Sequence, residues 1–309
     1  MPTPDLISFF EFIHDRQKIW HDRFVLKKQA PWTKDPIFLT FKFCNIYREL
    51  DAGTVVISKH LTGTDISPEE KLLNIIAYRI FNKRDTFERL FDGILSTKTF
   101  DVNELEKRLD NIKGPIFSDA YLISSHPVDS RYRPKDKHIQ VLLMLDALIP
   151  KLPQILAELK NNDGAGGLDI IEKYVAMAGP FLSGQILLDC TYSKNSKGVS
   201  DIVPYTSNDF LIVGPGAHWG LEILFRTKLN KTQADEKCRF LYESQEEIFD
   251  LLKKQKGKDW FDIKWNNLNY CGGNYISLHD IQGCLCEFRK YTRLKNGEKA
   301  KKRYFKSNV

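Results

Sequence analysis

Two apolar segments, each headed by glycines, occupy the middle of the sequence between residues 170 and 225. The first reads GPFLSGQILLD from Gly179, and the second reads VGPGAHWGLEILF from Val213. Both segments have the length and the apolar content of helices. The first turn of a helix carries N–H groups without intrahelical partners, and these groups together with the helix dipole favour an anion such as phosphate. This stretch therefore predicts helices whose starts could present backbone N–H groups to an anion.

The first segment allows two interpretations. A helix, a tight turn at residues 179–184 and a second helix is the arrangement with which DNA-bound helix-hairpin-helix elements hold a backbone phosphate. An ordinary helical hairpin without a ligand has the same pattern. Spacing alone leaves both open.

The second segment carries Gly214, Gly216 and Gly220 around a helix expected to begin near Ala217. It matches neither the dinucleotide-binding pattern G-x-G-x-x-G after a strand nor the P-loop pattern G-x-x-x-x-G-K-[ST], and no P-loop lysine occurs elsewhere. The sequence therefore disfavours a P-loop kinase. These glycines predict a close approach by a ligand or by another stretch of backbone.

Helical periodicity and helix-start signals recur along the rest of the chain, so the expected fold class is mainly α. Ser67 and Glu70, Asp101 and Glu104, and Ser277 and Asp280 mark three of the expected helix starts. The predicted helices cover residues 4–28, 37–50, 71–82, 101–112, 139–149, 152–159, 232–254 and 277–291. We expect one helical domain over residues 1–309, or two lobes at about 1–160 and 161–288, followed by a basic segment at 289–309.

Composition indicates a soluble intracellular protein. Hydrophobic residues make up 42% of the 309, and no run of about 18 apolar residues predicts a membrane span. The N-terminus lacks the features of a signal peptide, and the six cysteines show neither a disulfide framework nor zinc spacing. We expect a cytoplasmic protein in a bacterium or infected host, or a nuclear one in a eukaryote, with no metal and no cofactor evident.

Positive charge is concentrated near the C-terminus. Residues 289–306 hold nine Lys and Arg against Glu298, in a chain whose net charge is +6. Such a segment is typical of a polyanion-binding surface and also of a solvated tail.

Two charged motifs add candidate site residues. In NIYRELDAGT, Arg48 and Asp51 are three residues apart, which predicts either a solvated ion pair at a helix end or a buried arginine held to meet a phosphate in a bidentate manner. In CEFRKYTR, Glu287 and Lys290 share a face beside the basic tail, where aromatic residues among basic ones could stack bases or simply end an amphipathic helix. No Ser-His-Asp or Cys-His arrangement is apparent.

Four motifs together resemble one family: RQKIWHDRF with APWTKDPIF (16–38), FCNIYRELDAGT (43–54), GPFLSGQILLD with DFLIVGPGAHWGLEILF (179–225), and CEFRKY (286–291). In this order they look like the helical proteins of thymine hypermodification systems, known as 5-hydroxymethyluracil DNA kinase helical domains or α-glutamyl/putrescinyl-thymine pyrophosphorylases. The resemblance implies a fold akin to the helix-hairpin-helix DNA glycosylases. It also implies a transferase in which an amine or amino-acid co-substrate displaces pyrophosphate from an activated 5-hydroxymethyluracil in DNA.

That chemistry assigns expected roles to residues of this chain. It needs cations for the phosphates, a base held out of the stack and a group that accepts a proton from the amine. Arg48, oriented by Asp51, and Lys290 would meet the pyrophosphate, and Asp209 or Glu287 would be the general base. The expected contacts to DNA or phosphate come from Arg16, Arg23, Gly179, Phe181, Gly184, Gln185, Gly214, Gly216, His218, Gly220 and Arg293.

The sequence departs from the glycosylases at one position. Those enzymes carry an aspartate shortly after the hairpin, where Gly214 stands here, with Asp209 five residues earlier. This departure argues against base excision. The alternatives are a non-catalytic DNA-binding module that partners a base kinase or hydroxylase of the same pathway, and a DNA glycosylase.

Overall fold

The computed structural model describes residues 3–61, 66–118, 123, 137–193, 200–265 and 275–299, and helices dominate them. The chain divides into two compact units. Met1–Asp51 and Leu211–Val309 form the first unit, and Ala52–Phe210 forms the second. The mainly α fold class is confirmed.

The helices of the first unit begin and end as follows: α1 Pro4–Trp20, continued by a π-helical turn His21–Val25, α2 Pro36–Thr40, α11 Pro215–Phe225, α12 Lys231–Glu243, α13 Gln245–Lys256, α14 Lys258–Phe261 and α15 Leu278–Lys295. The helices of the second unit are α3 Ala52–Leu61, α4 Pro68–Phe81, α5 Arg84–Phe91, α6 Val102–Asp110, α7 Lys137–Leu148, α8 Leu152–Lys160, α9 Gly164–Tyr174 and α10 Pro180–Tyr192.

Side chains at the predicted helix starts form the expected caps. Ser67 Oγ accepts a hydrogen bond from the N–H of Glu70 at 3.2 Å, and Asp101 accepts from two N–H groups of the first turn of α6. Ser277 and Asp280 form a reciprocal capping box at the start of α15. These caps satisfy N–H groups that the helix itself leaves without partners, so these three helix-start predictions are confirmed.

The predicted helix over residues 37–50 is wrong beyond Thr40. The backbone turns extended at Phe41, and a 3-10 turn, Arg48–Leu50, follows. Local side-chain bonds account for the break, since Asn45 Oδ1 accepts from the N–H of Tyr47 and Asp51 Oδ1 accepts from the N–H of Asn45. Such bonds compete with helical hydrogen bonds. Arg48 and Asp51 therefore belong to a 3-10 turn and not to a face of an α-helix.

The predicted helix over residues 232–254 is two helices, α12 and α13, that meet at Ser244. The side-chain amide of the next residue, Gln245, donates to the carbonyls of Tyr242 and Ile276 and accepts from the N–H of Ile276. These buried hydrogen bonds fix the junction against the segment that leads into α15.

One hydrophobic core fills the first unit, built from α1, α11, α12, α13 and α15. Aromatic side chains carry much of it, with T-shaped contacts between Phe9 and Phe288 and between Phe10 and Phe249. The helices α11 and α15 approach each other closely. A Cβ atom added to Gly220 of α11 would lie 2.9 Å from the carbonyl carbon of Leu285, so glycine is what permits this approach.

In the second unit, α4 and α10 are buried along almost their whole length. Arg79 of α4 makes a bidentate ion pair with Asp189 of α10, with Nε–Oδ2 at 2.5 Å and Nη2–Oδ1 at 2.7 Å. Thr54 of α3 accepts a further bond from Arg79 at 2.8 Å. The charge is thus buried with its partners in place.

The glycine-rich stretch 161–167, at the boundary between the two expected lobes, lies within the second unit. A Cβ atom on Gly164 would come within 2.8 Å of Phe210 Cβ, so the start of α9 packs directly against the end of that unit. The observed division of the chain falls at residues 51 and 210 and differs from the expected lobes.

The stretch Lys137–Lys160 is long and apolar enough to cross a membrane by length and composition alone. It comprises α7, a 3-10 turn at Ile149–Lys151 and α8. More than half of its apolar window is buried within the protein. Its apolar side chains therefore contribute to the hydrophobic core.

Candidate functional site

Two of the charged motifs meet in the first unit. The 3-10 turn Arg48–Leu50 packs against the start of α15, where the backbone N–H of Arg48 donates to Asp280 Oδ1 at 2.7 Å. The side chain of Arg48 then passes over Gly283, whose added Cβ would lie 3.1 Å from Arg48 Cδ. The NIYRELD motif is thereby fixed to the helix that carries CEFRKY.

Arg48 and Asp51 form an ion pair through Nη1 and Oδ2. Their side chains are 14% and 15% exposed, so the pair is largely buried and differs from the solvated pair that the spacing also allowed. Asp51 Oδ1 accepts from the N–H of Asn45 at 3.1 Å. The aspartate thus holds the arginine and the preceding loop in one arrangement.

Asp280 is fully buried beneath this turn. Besides Arg48 N–H, its carboxylate accepts from the N–H and the hydroxyl of Ser277 at 3.0 and 2.8 Å. Burial raises the pKa of Asp280 to about 6, although these hydrogen bonds and the charge of Arg48 favour the ionised form. This carboxylate was predicted only as a helix cap, and it also anchors the Arg48 backbone.

Cations surround the exposed thiol of Cys286 on α15. Burial is the main cause that raises the pKa of Cys286, with a further contribution from Glu287, whereas the nearby charges of Arg289, Arg48 and Lys290 oppose it. The start of α11 lies against the same thiol, since a Cβ on Gly216 would collide with Cys286 Sγ. Gly214 is the N-cap residue of that helix and provides no side-chain hydrogen bond to its first turn. Three cations and a helix start thus lie near Cys286 together with Glu287, and the excess of positive charge suits an anion.

Glu287 and Lys290 bind the loop that leads to Arg48. Glu287 Oε2 accepts from the N–H of Cys44 at 3.3 Å, and Lys290 Nζ donates to the carbonyl of Lys42. The ammonium of Lys290 also lies 4.4 Å from the ring centroid of Phe43. Burial, followed by the charge of Glu287, raises the pKa of Cys44 to about 11. The structure therefore brings four predicted residues, Arg48, Asp51, Glu287 and Lys290, into one cluster.

Arg16 supports this cluster from below. Its Nη2 donates to the carbonyls of Phe43 and Cys44 at 3.1 and 2.8 Å, and its guanidinium lies over the rings of Phe38 and Phe43. Burial lowers its pKa. The hydrogen bonds of Arg16 thus hold the loop backbone, and its expected contact with DNA stays a prediction.

Arg23 lies in the π-helical turn after α1. Its guanidinium stacks on two rings, 4.8 Å from the centroid of Phe24 and 5.0 Å from that of Trp32. Its predicted role toward phosphate stays a prediction.

The second glycine segment is explained by helix packing. Gly216 and Gly220 lie one turn apart on α11, and both face α15, at Cys286 and Leu285. Of the two possibilities that the sequence left open, the structure shows the approach of another backbone. His218 donates through Nε2 to the carbonyl of Leu229 at 2.8 Å, which holds the chain beyond α11.

The predicted hairpin lies in the second unit, and its turn was misplaced. The turn spans residues 175–179, and α10 already begins at Pro180. Gly184 and Gln185 are buried inside α10. Gly179 is the N-cap residue before this helix and provides no side-chain hydrogen bond, and half-buried Phe181 lies in the first turn. Only Gly179 and Phe181 stand where a helix start could meet a phosphate.

Asp209 also lies in the second unit, in a turn before Phe210. Its Oδ2 accepts from the N–H and the hydroxyl of Thr206 at 2.6 and 2.9 Å. Its carboxylate closes this turn.

The C-terminal half of α15 adds a pair that the sequence reading missed. The guanidinium of Arg289 lies 4.1 Å from the ring centroid of Trp219 on α11, and the indole is 47% exposed. Predicted Arg293 follows one turn later and pairs with Glu298 at 3.0 Å. A signal was available, since Cys286, Arg289, Lys290 and Arg293 recur at helical spacing and must share one side of α15.

Fold and site together define an α-helical protein whose first unit gathers cations around a helix start. The chain belongs to the family described as "5-hmdU DNA kinase, helical domain", whose model matches residues 3–301. This match confirms the resemblance inferred from the motifs.

Among known proteins, the chain is similar to the 5-hmdU DNA kinase of Bacillus phage SP10, with 28% identity over 300 residues. The aligned region covers 92% of this chain and 44% of the relative, so the chain spans less than half of the length of that protein. No solved structure matches the chain.

Proposed function

We propose that this chain acts in the modification of 5-hydroxymethyluracil in DNA, as a transferase that replaces a pyrophosphate on the base with an amine or amino acid. The observation that carries the proposal is the cluster of Arg48, Arg289 and Lys290 around Cys286 at the start of α11, beside Glu287. Family membership over almost the whole chain supports a substrate of this class.

The proposed step balances without a redox cofactor. The amine nitrogen forms a bond to the exocyclic methylene carbon of the base, while the bond from that carbon to the pyrophosphate oxygen breaks. Pyrophosphate leaves with the electron pair, and the excess proton on nitrogen passes to a carboxylate. Cations placed at the leaving group stabilise the charge that develops there.

Glu287 is the better placed of the two predicted bases. Its Oε2 accepts a long hydrogen bond from Cys44 N–H at 3.3 Å, its carboxylate also hydrogen-bonds the Cys44 side chain, and it follows directly on Cys286. Asp209 accepts two shorter bonds within its own turn. Arg48 is the residue whose planar fork suits a pyrophosphate, since Asp51 and Asp280 fix its side chain and its backbone.

A second candidate is a non-catalytic module that binds DNA for a base kinase or hydroxylase. Its support is that the relative is named a kinase and is more than twice as long, while the present chain has no P-loop motif. As a module it would bind DNA with an affinity that falls with salt concentration, with a log-log slope of several units. It would yield no product alone.

One experiment separates the candidates. The protein is incubated with DNA that contains 5-pyrophosphomethyluracil and a panel of amines, and the DNA is digested to nucleosides for mass spectrometry. A new amine-substituted nucleoside supports the transferase. DNA binding without product, for every amine, refutes the transferase and leaves the module.

Substitutions connect the activity to the cluster. Arg48→Ala is expected to abolish transfer with most DNA affinity retained, and Arg48→Lys to retain the charge but lose most of the rate. The matched control is Arg84→Ala on α5, because that arginine is 67% exposed and pairs with Glu88 at the surface. Full transfer by folded Arg48→Ala protein would refute the assignment of this residue.

A further inference from the structure

Trp219 is an exposed aromatic side chain on a helix that is otherwise used for packing. Its neighbours Ala217, Gly220, Leu221 and Leu224 are buried, whereas 47% of Trp219 remains exposed. A large exposed indole beside a packed helix pair contributes little to the core, and such residues often mark binding surfaces.

Arg289 lies over this indole and makes no ion pair with any of the described residues. Its guanidinium is 4.1 Å from the ring centroid. Desolvation and the neighbouring charge of Arg293 lower its pKa. Arg293 pairs with Glu298 and Arg226 with Asp5, but within the described part of the chain Arg289 has no ion-pair partner. A guanidinium without an ion pair, held on an aromatic face, favours an anionic ligand with a π-face.

An open groove of about 480 Å³ adjoins the indole, lined by Trp219, Glu222, Ile223, Arg226, Thr227 and Lys228. Clefts that take small ligands measure about 300–1,000 Å³. The groove therefore has room for a nucleobase beside the indole.

Cys286, near which Arg48 and Lys290 also lie, is one helical turn from Arg289. Gly216 contacts Cys286, and three residues later on both helices Trp219 contacts Arg289. One turn rises about 5.4 Å, so a DNA strand whose pyrophosphate binds beside Cys286 lies within reach of the indole.

We propose that Trp219, backed by Arg289, is a stacking platform for an unpaired nucleobase of the DNA strand whose activated base binds at Arg48 and Lys290 beside Cys286. This inference rests on the proposed function, since it requires that the chain bind DNA. Stacking on an aromatic ring is tolerant of base identity, so the platform would hold the strand without reading its sequence. A protein partner on the same surface is the competing occupant, and the test below decides between them.

The test measures affinity for a fluorescein-labelled single-stranded oligonucleotide by anisotropy over a range of salt concentrations. Trp219→Ala is expected to weaken binding by about 5- to 100-fold, the effect of losing one stacked base, with an unchanged salt slope. Trp219→Phe retains a ring and should lose much less. Arg289→Ala should weaken binding and also reduce the salt slope by about one, because it removes a charge. Phe240→Ala, which removes an aromatic ring that is 44% exposed on α12, is the matched control and should bind as the wild type does.

Three results would overturn the inference. If the wild type binds DNA and Trp219→Ala binds it equally well, the platform is refuted while the proposed function stands. If Trp219→Ala alters self-association in sedimentation but leaves DNA affinity unchanged, the surface is a protein interface. If the wild type fails to bind DNA at low salt, the platform and the proposed function both fail.

Discussion

The contact between α11 and α15 predicts a large effect from adding a single methyl group. In Gly220→Ala, the new Cβ would lie 2.9 Å from the carbonyl carbon of Leu285 and 3.4 Å from its Cα, and closer still to the carbonyl oxygen. The obstacle is backbone in the middle of a helix, which cannot rotate away as a side chain can. The two helices must therefore separate.

The magnitude follows from opposing effects. Overpacking of this kind costs about 1–3 kcal/mol, and a separation of roughly 0.5–1 Å forfeits a quarter to a half of the dispersion attraction across the contact. Alanine gains about 1 kcal/mol in helix propensity over glycine. We expect the first unit to lose about 1–2 kcal/mol in its free energy of unfolding.

The distribution of tryptophan provides a selective assay. All five tryptophans, Trp20, Trp32, Trp219, Trp260 and Trp265, lie in the first unit. Urea unfolding followed by tryptophan fluorescence therefore reports on that unit, whereas far-UV circular dichroism reports on both. Gly220→Ala should lower the urea midpoint in the fluorescence signal.

Gly283→Ala is the matched control, a second glycine-to-alanine change in a helix of the same unit. Its Cβ meets only Arg48 Cδ, at 3.1 Å, and a side chain can shift by a few tenths of an ångström. Its fluorescence midpoint should stay at or above that of the wild type. A Gly220→Ala protein as stable as the Gly283→Ala protein would refute the reasoning.

Three further predictions concern buried and exposed polar groups. Because burial raises the pKa of Asp280 to about 6 from 3.8, the folded state binds this proton more tightly than the unfolded state does. The stability of the wild type relative to Asp280→Asn should therefore fall by about 2 kcal/mol as pH rises from 4 to 6. Arg79→Ala leaves Asp189 buried without its ion-pair partner and should cost the second unit about 3–5 kcal/mol, seen by circular dichroism. Pyrophosphate should slow the alkylation of exposed Cys286, followed by peptide mass mapping.

Each of these has a result that would contradict it. Parallel pH profiles for the wild type and Asp280→Asn would show that the carboxyl group does not carry the raised pKa. An Arg79→Ala protein with an unchanged circular dichroism transition would mean that the buried ion pair is dispensable. If pyrophosphate changes the alkylation rate of Cys286 neither in the wild type nor in Arg48→Ala, the result would argue against an anion site at the cations around Cys286.

The sequence predicts the helical fold well because its signals are local. Caps such as Ser67 and Ser277 and the periodicity of their helices depend on residues three or four positions apart. The helix predicted over residues 37–50 failed because its apolar spacing is helical while Asn45 and Asp51 offer the backbone competing bonds. Periodicity cannot weigh that competition.

The site was only partly predictable, for a different reason. The motifs around Arg48 and Lys290 were visible, but that they meet depends on α15 passing under the Arg48 turn. The sequence shows that Gly216 and Gly220 lack side chains, but it does not show whether a ligand or another helix needs the space. The structure shows that α15 occupies it. Trp219 and Arg289 are far apart in sequence, and no local pattern joins them.

The charges near Gly214 help to distinguish two reactions, the modification of a base and its excision. The resemblance to glycosylases, which stays a prediction, would place here the aspartate that in those enzymes stabilises positive charge developing on the sugar. In this chain the position is Gly214, the N-cap residue of α11, which provides no side-chain cap. Arg48, Arg289 and Lys290 lie near this helix start. A helix start and three cations stabilise negative charge and would oppose a sugar cation. The electrostatics at this helix start thus favour a reaction in which a phosphate group accumulates charge, in agreement with the proposed displacement of pyrophosphate.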